Sequence, residues 1–443
     1  MVTAGRRSRL RNQNMGMAES DRSVEGWIAA SGLARESRRR QLWELARSRG
    51  MGRRMFLQLL SFGGAAAVIA ACESGPQPRQ NETATDVGAG RTEGWFKDPA
   101  PFIQHDGQNL EARLASLEGL ITPAHQFFVR NNSHSLDLAE SEWRLQVAGD
   151  AVSKQLELSY DQIRELPARK LTAYLECAGN HRAMFDLVNG RKAAGTQWMT
   201  GAIGNGEWAG TPLREVLSLA GVSDRAVSAQ LVGLDLESPE QGFRYVLPMA
   251  KAMHPDTLLA YSLNGEPLPR DHGFPLRALV PGWVGAASVK WLGRIEVARR
   301  PIFGRTNTTS YVLIGDRFPA NAPAQGEPVH AQVVKSALAL PWPARLAAGQ
   351  TRLRGFAQSP MGPIERVQWS PDSGANWFEA ELTDSQPDYS WARFEFYWNA
   401  TPGEHSIMTR ATDAAGNFQP AEVPFNAKGY LFNQPLPHPV RVT

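Results

Sequence analysis

The chain has 443 residues, long enough for two or three domains with buried cores. At 42% hydrophobic and 21% charged residues it is neither a disordered tail nor a multi-spanning membrane protein, and its 40 glycines and 30 prolines favour a loop-rich mixed or β fold. Two cysteines exclude a disulfide scaffold and a Cys₄ metal site. The net charge of +3 is uneven. Residues 1–72 hold 13 of the 47 Lys/Arg but 5 of the 44 Asp/Glu, which leaves the rest with 34 basic and 39 acidic residues. A protein that tracks phosphates needs a basic body, so no nucleic-acid partner is expected.

Residues 1–50 form an N-terminal extension to which no fold is assigned. Residues 51–72 read as an export signal. Arg53 and Arg54 precede a seventeen-residue apolar run from Met55 to Ala71, and Arg-Arg-Met-Phe-Leu resembles the twin-arginine motif. The expected location is therefore periplasmic. Ile69-Ala70-Ala71-Cys72 resembles a lipobox, so Cys72 is either lipidated as a membrane anchor or lost in ordinary cleavage. Any membrane contact would run through this leader. Residues 73–99, rich in Gly, Pro, Thr, Asn and Gln, read as a linker.

Residues 143–147 alternate as a half-buried strand does. Residues 159–165 read as a short helix with Ser159 as N-cap and Asp161 in its first turn. Residues 171–175 form an apolar strand running into Glu176-Cys177-Ala178-Gly179-Asn180-His181-Arg182. Residues 212–220 have helical period, with Thr211 as N-cap, Pro212 at the first position and Gly221 just past the end. Strands are expected at 229–236 and 289–297. Strands and helices alternate without a βαβ rhythm, which predicts an α+β domain. After a Pro-rich linker at 319–328, short alternating runs at 351–357, 364–370, 392–398 and 405–412, separated by turn residues, predict a β-sandwich.

Cys177 has two functional readings beside that of a buried strand cysteine. It could be a nucleophile with His181, His254 or His272 as base, or a thiolate ligand of a soft metal whose other ligands belong to a cofactor. His181 and Arg182 would both lower its pKa. A second region, Asp271 to Arg277 followed by Val280 to Trp291, combines glycines with His272, Arg277, Ser288 and Lys290. That set suits a large phosphorylated ligand, or a tight loop with solvated charges.

Taken together, these motifs resemble the sulfite oxidase family of molybdenum enzymes from about residue 100 to the C-terminus. The resemblance is carried by Phe127-Phe128-Val129-Arg130-Asn131, the Leu175 to Arg182 stretch, Thr200-Gly201-Ala202-Ile203, Trp208-Ala209-Gly210, Gly233-Leu234-Asp235, the His272 to Arg277 stretch and Ser288-Val289-Lys290-Trp291-Leu292. It implies a mixed α/β molybdopterin-binding domain at 100–325 and an immunoglobulin-like dimerisation sandwich at 330–443. It implies that Cys177 ligates molybdenum. Phe128, Arg130, Asn131, Asn132, Asp235, His272, Arg277, Ser288, Val289 and Lys290 would hold the molybdopterin. Arg130, Arg182 and Tyr311 would be catalytic, with Lys428 beside the substrate.

The implied reaction is oxidation of sulfite, or a related sulfur oxyanion, to sulfate. No haem is expected in this chain, so electrons would pass to a separate acceptor, a c-type cytochrome. The alternatives are a reductase of sulfoxides or oxyanions on the same cofactor, and a non-catalytic partner subunit. His181 and Lys428 stand where some relatives have Arg, which bears on substrate choice. A homodimer is expected through the sandwich. There Ala392, Phe394, Phe396 and Trp398 would fill the core, and a second face with Trp391 and Tyr397 would meet a partner copy.

Overall fold

The structure, a computed structural model, describes residues 90–91 and 95–443. The extension, the export signal, Cys72 and most of the expected linker lie outside the described residues.

Two five-stranded sheets make up most of the first half, and their buried apolar residues form two main clusters. The first has five strands in the order Arg244–Pro248, Ser228–Gly233, Leu292–Ala298, Arg144–Ala148 and Leu156–Ser159. Leu292–Ala298 runs parallel to Arg144–Ala148, and the other pairs are antiparallel. The second sheet is antiparallel and runs Glu266–Pro267, Leu258–Leu263, Ile203–Pro212, Arg169–Glu176, with Arg277–Leu279 also pairing to Leu258–Leu263. Arg144–Ala148 alternates as the sequence predicts. Leu145 and Val147 enter the core beside Trp143, Leu231, Leu259 and Ile295.

The helices are short. Tyr160–Arg164 has the predicted Ser159 cap, closed into a capping box by Gln162, whose backbone N–H and side-chain oxygen both bond Ser159 (3.2 and 2.9 Å). Leu213–Leu219 is the expected helix, but Thr211 does not cap it. Thr211 is still within the strand Ile203–Pro212, and its buried hydroxyl donates to the Ile163 carbonyl at 2.9 Å. The tertiary partner wins because a buried hydroxyl must be satisfied.

The second half is a sandwich of eight strands in the order Lys335–Leu338, Gly349–Gln358, Ala392–Ala400, Phe378–Leu382, Ile364–Ser370, Gly403–Asp413, His438–Val442, Ala344–Leu346. Ala392, Phe394, Phe396 and Trp398 fill its core with Leu353, Val367, Ile407 and Val440. Trp391 is not a face for a second copy. It is fully buried against Phe356, Leu114, Tyr174 and Ile203, and its indole N–H donates to the Leu120 carbonyl at 2.7 Å. The large ring is used to dock the sandwich onto the first half of the same chain. Tyr397, on the outward face, is 57% exposed.

Two segments read as linkers are packed. Glu327–Pro328 pairs with Val312–Leu313. Residues 95–97 lie against the loop at Asp271, whose carboxylate accepts from the backbone N–H groups of Phe96 (3.3 Å) and Lys97 (2.9 Å). Polar composition cannot reveal a segment held through its backbone.

Candidate active site

Strand Arg169–Glu176 goes from exposed to wholly buried along its length and delivers Cys177 at its end. The loop that follows is pinned from several sides. The Cys177 N–H donates to Ala202 O and the Cys177 carbonyl accepts from Asn180 N–H, each at 2.9 Å. The Asn180 side chain accepts from Ala202 N–H (3.0 Å) and donates to Glu176 (3.0 Å). Glu176 is paired with Lys335 at 2.6 Å, both side chains fully buried, and also accepts from Gln358 (3.3 Å). Gln332 donates to the Glu176 carbonyl at 2.7 Å. The sandwich residues Lys335 and Gln358 therefore brace the loop that presents the cysteine.

Cys177 opens onto a cleft enclosing about 740 Å³, solvent at its mouth included. All ten residues expected to hold the cofactor line it: Phe128, Arg130, Asn131, Asn132, Asp235, His272, Arg277, Ser288, Val289 and Lys290. Tyr311 lines it too. Trp291 takes φ 46, which a bulky residue rarely adopts, and so the strand begins only at Leu292. The break lets Lys290 turn toward the cleft, where its ammonium donates to the Asp271 carbonyl (2.8 Å) and to the Asn131 side chain. Arg277 donates to the carbonyls of His272 and Ser288, both at 2.9 Å. Ser288 is itself fixed by Val280 N–H at 3.0 Å.

The hydrogen bonds of these cations go to neutral acceptors, with the carboxylates of Asp271 and Asp235 acting on Lys290 from nearby. Burial lowers the pKa of Arg277, and lowers that of Lys290 strongly, with Arg277 adding repulsion. A desolvated cation cluster of this kind is stabilised by an anion, so the cleft suits a phosphorylated ligand. Asp235, raised by burial, accepts from Phe243 N–H at 2.8 Å. No three His, Cys, Asp or Glu side chains converge on a metal among the described residues. A metal at Cys177 would need further ligands from a cofactor, and the donor set fits molybdopterin.

Arg182, Lys428 and His181 stand differently from the sequence reading. Arg182 is buried but does not line the cleft. It donates to the carbonyls of Lys428 (2.8 Å) and Thr196 (2.6 Å). A Cβ at Gly179 would lie 2.4 Å from its guanidinium, so a side chain there would push Arg182 off its present position. The guanidinium sits over the Tyr430 ring (5.2 Å), and Tyr430 stacks on Tyr311 at 5.5 Å and 12°. Lys428 enters through its backbone and is also absent from the lining. His181 adopts φ 71 and is buried, and burial holds its pKa well below the usual range. It is therefore neutral at pH 7 and supplies no cation to the Cys177 thiol. Neither His181 nor His254 lines the cleft, so of the three candidate bases for a nucleophilic Cys177 only His272 faces it.

Sequence reasoning missed Lys97, Asp271 as a hub, Glu176, Gln332, Lys335 and Gln358. Two carried a signal: Glu176 closes an apolar strand, and Lys335 interrupts the run Val333-Val334-Lys335-Ser336-Ala337-Leu338. A charge inside an apolar run is buried and paired, or the run is not core.

Comparison with known proteins gives the family. Residues 132–305 match the family model described as the oxidoreductase molybdopterin binding domain, and residues 326–441 match the Mo-co oxidoreductase dimerisation domain. The chain is 35% identical over 336 residues to mouse mitochondrial sulfite oxidase, covering 71% of this chain and 60% of that one. It is 32% identical over 353 residues to Arabidopsis thaliana sulfite oxidase, covering 72% and 88%. The crystal structure of the sulfane dehydrogenase SoxCD from Paracoccus pantotrophus superposes with a TM-score of 0.66 at 25% identity, covering 84% of this chain and 96% of that one. With a molybdopterin-binding domain, a dimerisation sandwich and a cysteine set into a cation-lined cleft, the chain belongs to the sulfite oxidase family.

Proposed function

We propose that this protein oxidises sulfite to sulfate on a molybdopterin held in the cleft and passes the electrons to a separate c-type cytochrome. The observation that carries the reading is Cys177, presented by a braced loop into a cleft whose wall carries the desolvated cations Arg277 and Lys290. The balanced reaction joins sulfite and water to give sulfate, two protons and two electrons.

Cys177, as thiolate, would hold the metal, and Arg277, Lys290, His272, Ser288, Asn131 and Asp235 would hold the pterin and its phosphate. When bound, the cofactor supplies the two-electron redox change at sulfur. Arg130, part-exposed in the cleft, attracts the sulfite dianion. Tyr311 is 8% exposed, and burial raises its pKa, so it stays protonated and can donate to an oxygen in the cleft. Arg182 acts from behind the Tyr430–Tyr311 stack, adding positive potential without touching the cleft. The packed sandwich keeps water from the back of the cysteine loop.

Export through the twin-arginine route to the periplasm, and a homodimer formed by the sandwich, belong to the same proposal. The leader sequence supports the first and the dimerisation-domain match supports the second. The likeness to a sulfane dehydrogenase favours one second reading, oxidation of sulfane sulfur. Assaying the purified, metal-quantified protein with sulfite, with a sulfane donor and with a sulfoxide separates these readings. Sulfite is expected to give the highest kcat/KM, and a preference for either other substrate rejects it.

A further inference from the structure

Lys97 lies upstream of the matched molybdopterin domain, in a segment that composition places in a linker. Its ammonium nevertheless reaches the cleft wall from behind. It donates to the carbonyls of Ala124 and Phe127, each at 2.8 Å, and sits 2.7 Å from Nε2 of His272. The lysine is held there by its own backbone, whose N–H bonds the carboxylate of Asp271, the neighbour of His272. That carboxylate is steadied by the Ser135 hydroxyl at 2.6 Å.

An ammonium has three hydrogens to donate and no lone pair. Ala124, Phe127 and His272 take all three, so Nε2 of His272 must be the acceptor. Burial and the charges of Lys97, Lys290 and Arg277 keep this imidazole neutral, and a neutral ring carries one proton. That proton is then on Nδ1, and the ring offers the cleft a donor rather than a lone pair. We propose that Lys97 is a positioning residue that sets the tautomer of His272 so that its Nδ1–H faces an anionic or lone-pair-bearing ligand in the cleft. The inference rests on the reading that the cleft holds molybdopterin.

The Ala124 carbonyl, which Lys97 occupies, also favours a protonated His272 ring; without Lys97 that carbonyl is free to draw the ring proton to Nε2, the nitrogen Lys97 had faced. The ring would then present a lone pair to the ligand. Its contact with a phosphate or a pterin heteroatom acceptor would turn from attraction to repulsion.

The test uses the full-length holoprotein, ¹⁵N-labelled at histidine, near pH 6 so that Lys97, lowered by burial to about 7, keeps its proton. The His272 ring nitrogens are assigned with His272→Gln. Wild type should show Nδ1 protonated and Nε2 bare. Lys97→Met should invert this pattern and release pterin about tenfold faster on dilution, as expected for one lost charge-assisted hydrogen bond. Lys97→Arg, which keeps donors, should retain the wild-type tautomer and covers the case in which the methionine variant unfolds. A His272 ring that keeps Nδ1–H in folded Lys97→Met, or that carries Nε2–H in wild type, overturns the proposal. Wild type that purifies with no pterin counts against the cofactor reading instead, while the tautomer measurement still decides the role of Lys97.

Discussion

Arg182 is proposed to serve a site that it does not line. Two of its five N–H donors are taken by the Lys428 and Thr196 carbonyls, and Gly179 leaves it room. Arg182→Gln should lower kcat/KM for sulfite about thirtyfold, the effect of losing roughly 2 kcal/mol of charged hydrogen bonding and potential. Much of that loss should appear as a higher KM, because the attraction already exists in the bound ground state. Arg182→Lys should not restore it, since one ammonium cannot replace a planar fork. Steady-state kinetics on metal-quantified protein checks this, and a change of less than about twofold would place Arg182 outside the mechanism. At this scale the sequence was informative wherever chemistry is local. Cys177, Arg277 and Lys290 stand in motifs that point to one site, and all three line the same cleft. The burial that neutralises His181 and the carbonyls that hold Arg182 come from residues far along the chain, and no spacing rule points to them.

The element that matters most is the turn after strand Arg169–Glu176, and its stability comes from the sandwich. Lys335 and Glu176 form a fully buried ion pair at 2.6 Å across the two halves. Lys335→Met should destabilise the protein by about 3–5 kcal/mol, because Glu176 would be left as an unpaired buried charge. Adding Glu176→Gln to Lys335→Met should recover part of that loss. Denaturant unfolding of the three variants measures both effects, and a loss under about 1 kcal/mol in Lys335→Met would mean that the pair does not brace the loop. Strands with clear alternation, such as Arg144–Ala148 and Ala392–Ala400, were legible because a period of two is set by neighbours in sequence. The cap at Thr211 and the outward face at Trp391 were misread for a common reason. Each side chain is taken by a distant partner, Ile163 O for one and Leu120 O for the other. Local patterns cannot register such partners.

On the scale of the whole molecule, the two halves act as one support for the cleft, and their joint stability should depend on pH. His438, on the last strand, is buried and donates to the Pro341 carbonyl at 2.8 Å. Burial lowers its pKa from 6.5 to about 4. Between those values the unfolded chain binds a proton that the folded one does not. Stability should therefore fall as pH drops from about 6.5 to about 4, with this group contributing up to ~3 kcal/mol. His438→Gln should flatten that slope in unfolding curves, and an unchanged slope would assign the acid sensitivity elsewhere. The central claim is that one thiolate at the mouth of the sandwich-braced loop makes this fold a sulfite-oxidising centre. The most direct test is sulfite-dependent reduction of cytochrome c by full-length protein and by Cys177→Ser, with molybdenum content and thermal unfolding recorded for both. Turnover in metal-loaded wild type, and its loss in a Cys177→Ser protein that still folds, is the predicted result; wild-type rates in the serine variant, or metal-loaded wild type that leaves sulfite untouched, would contradict it.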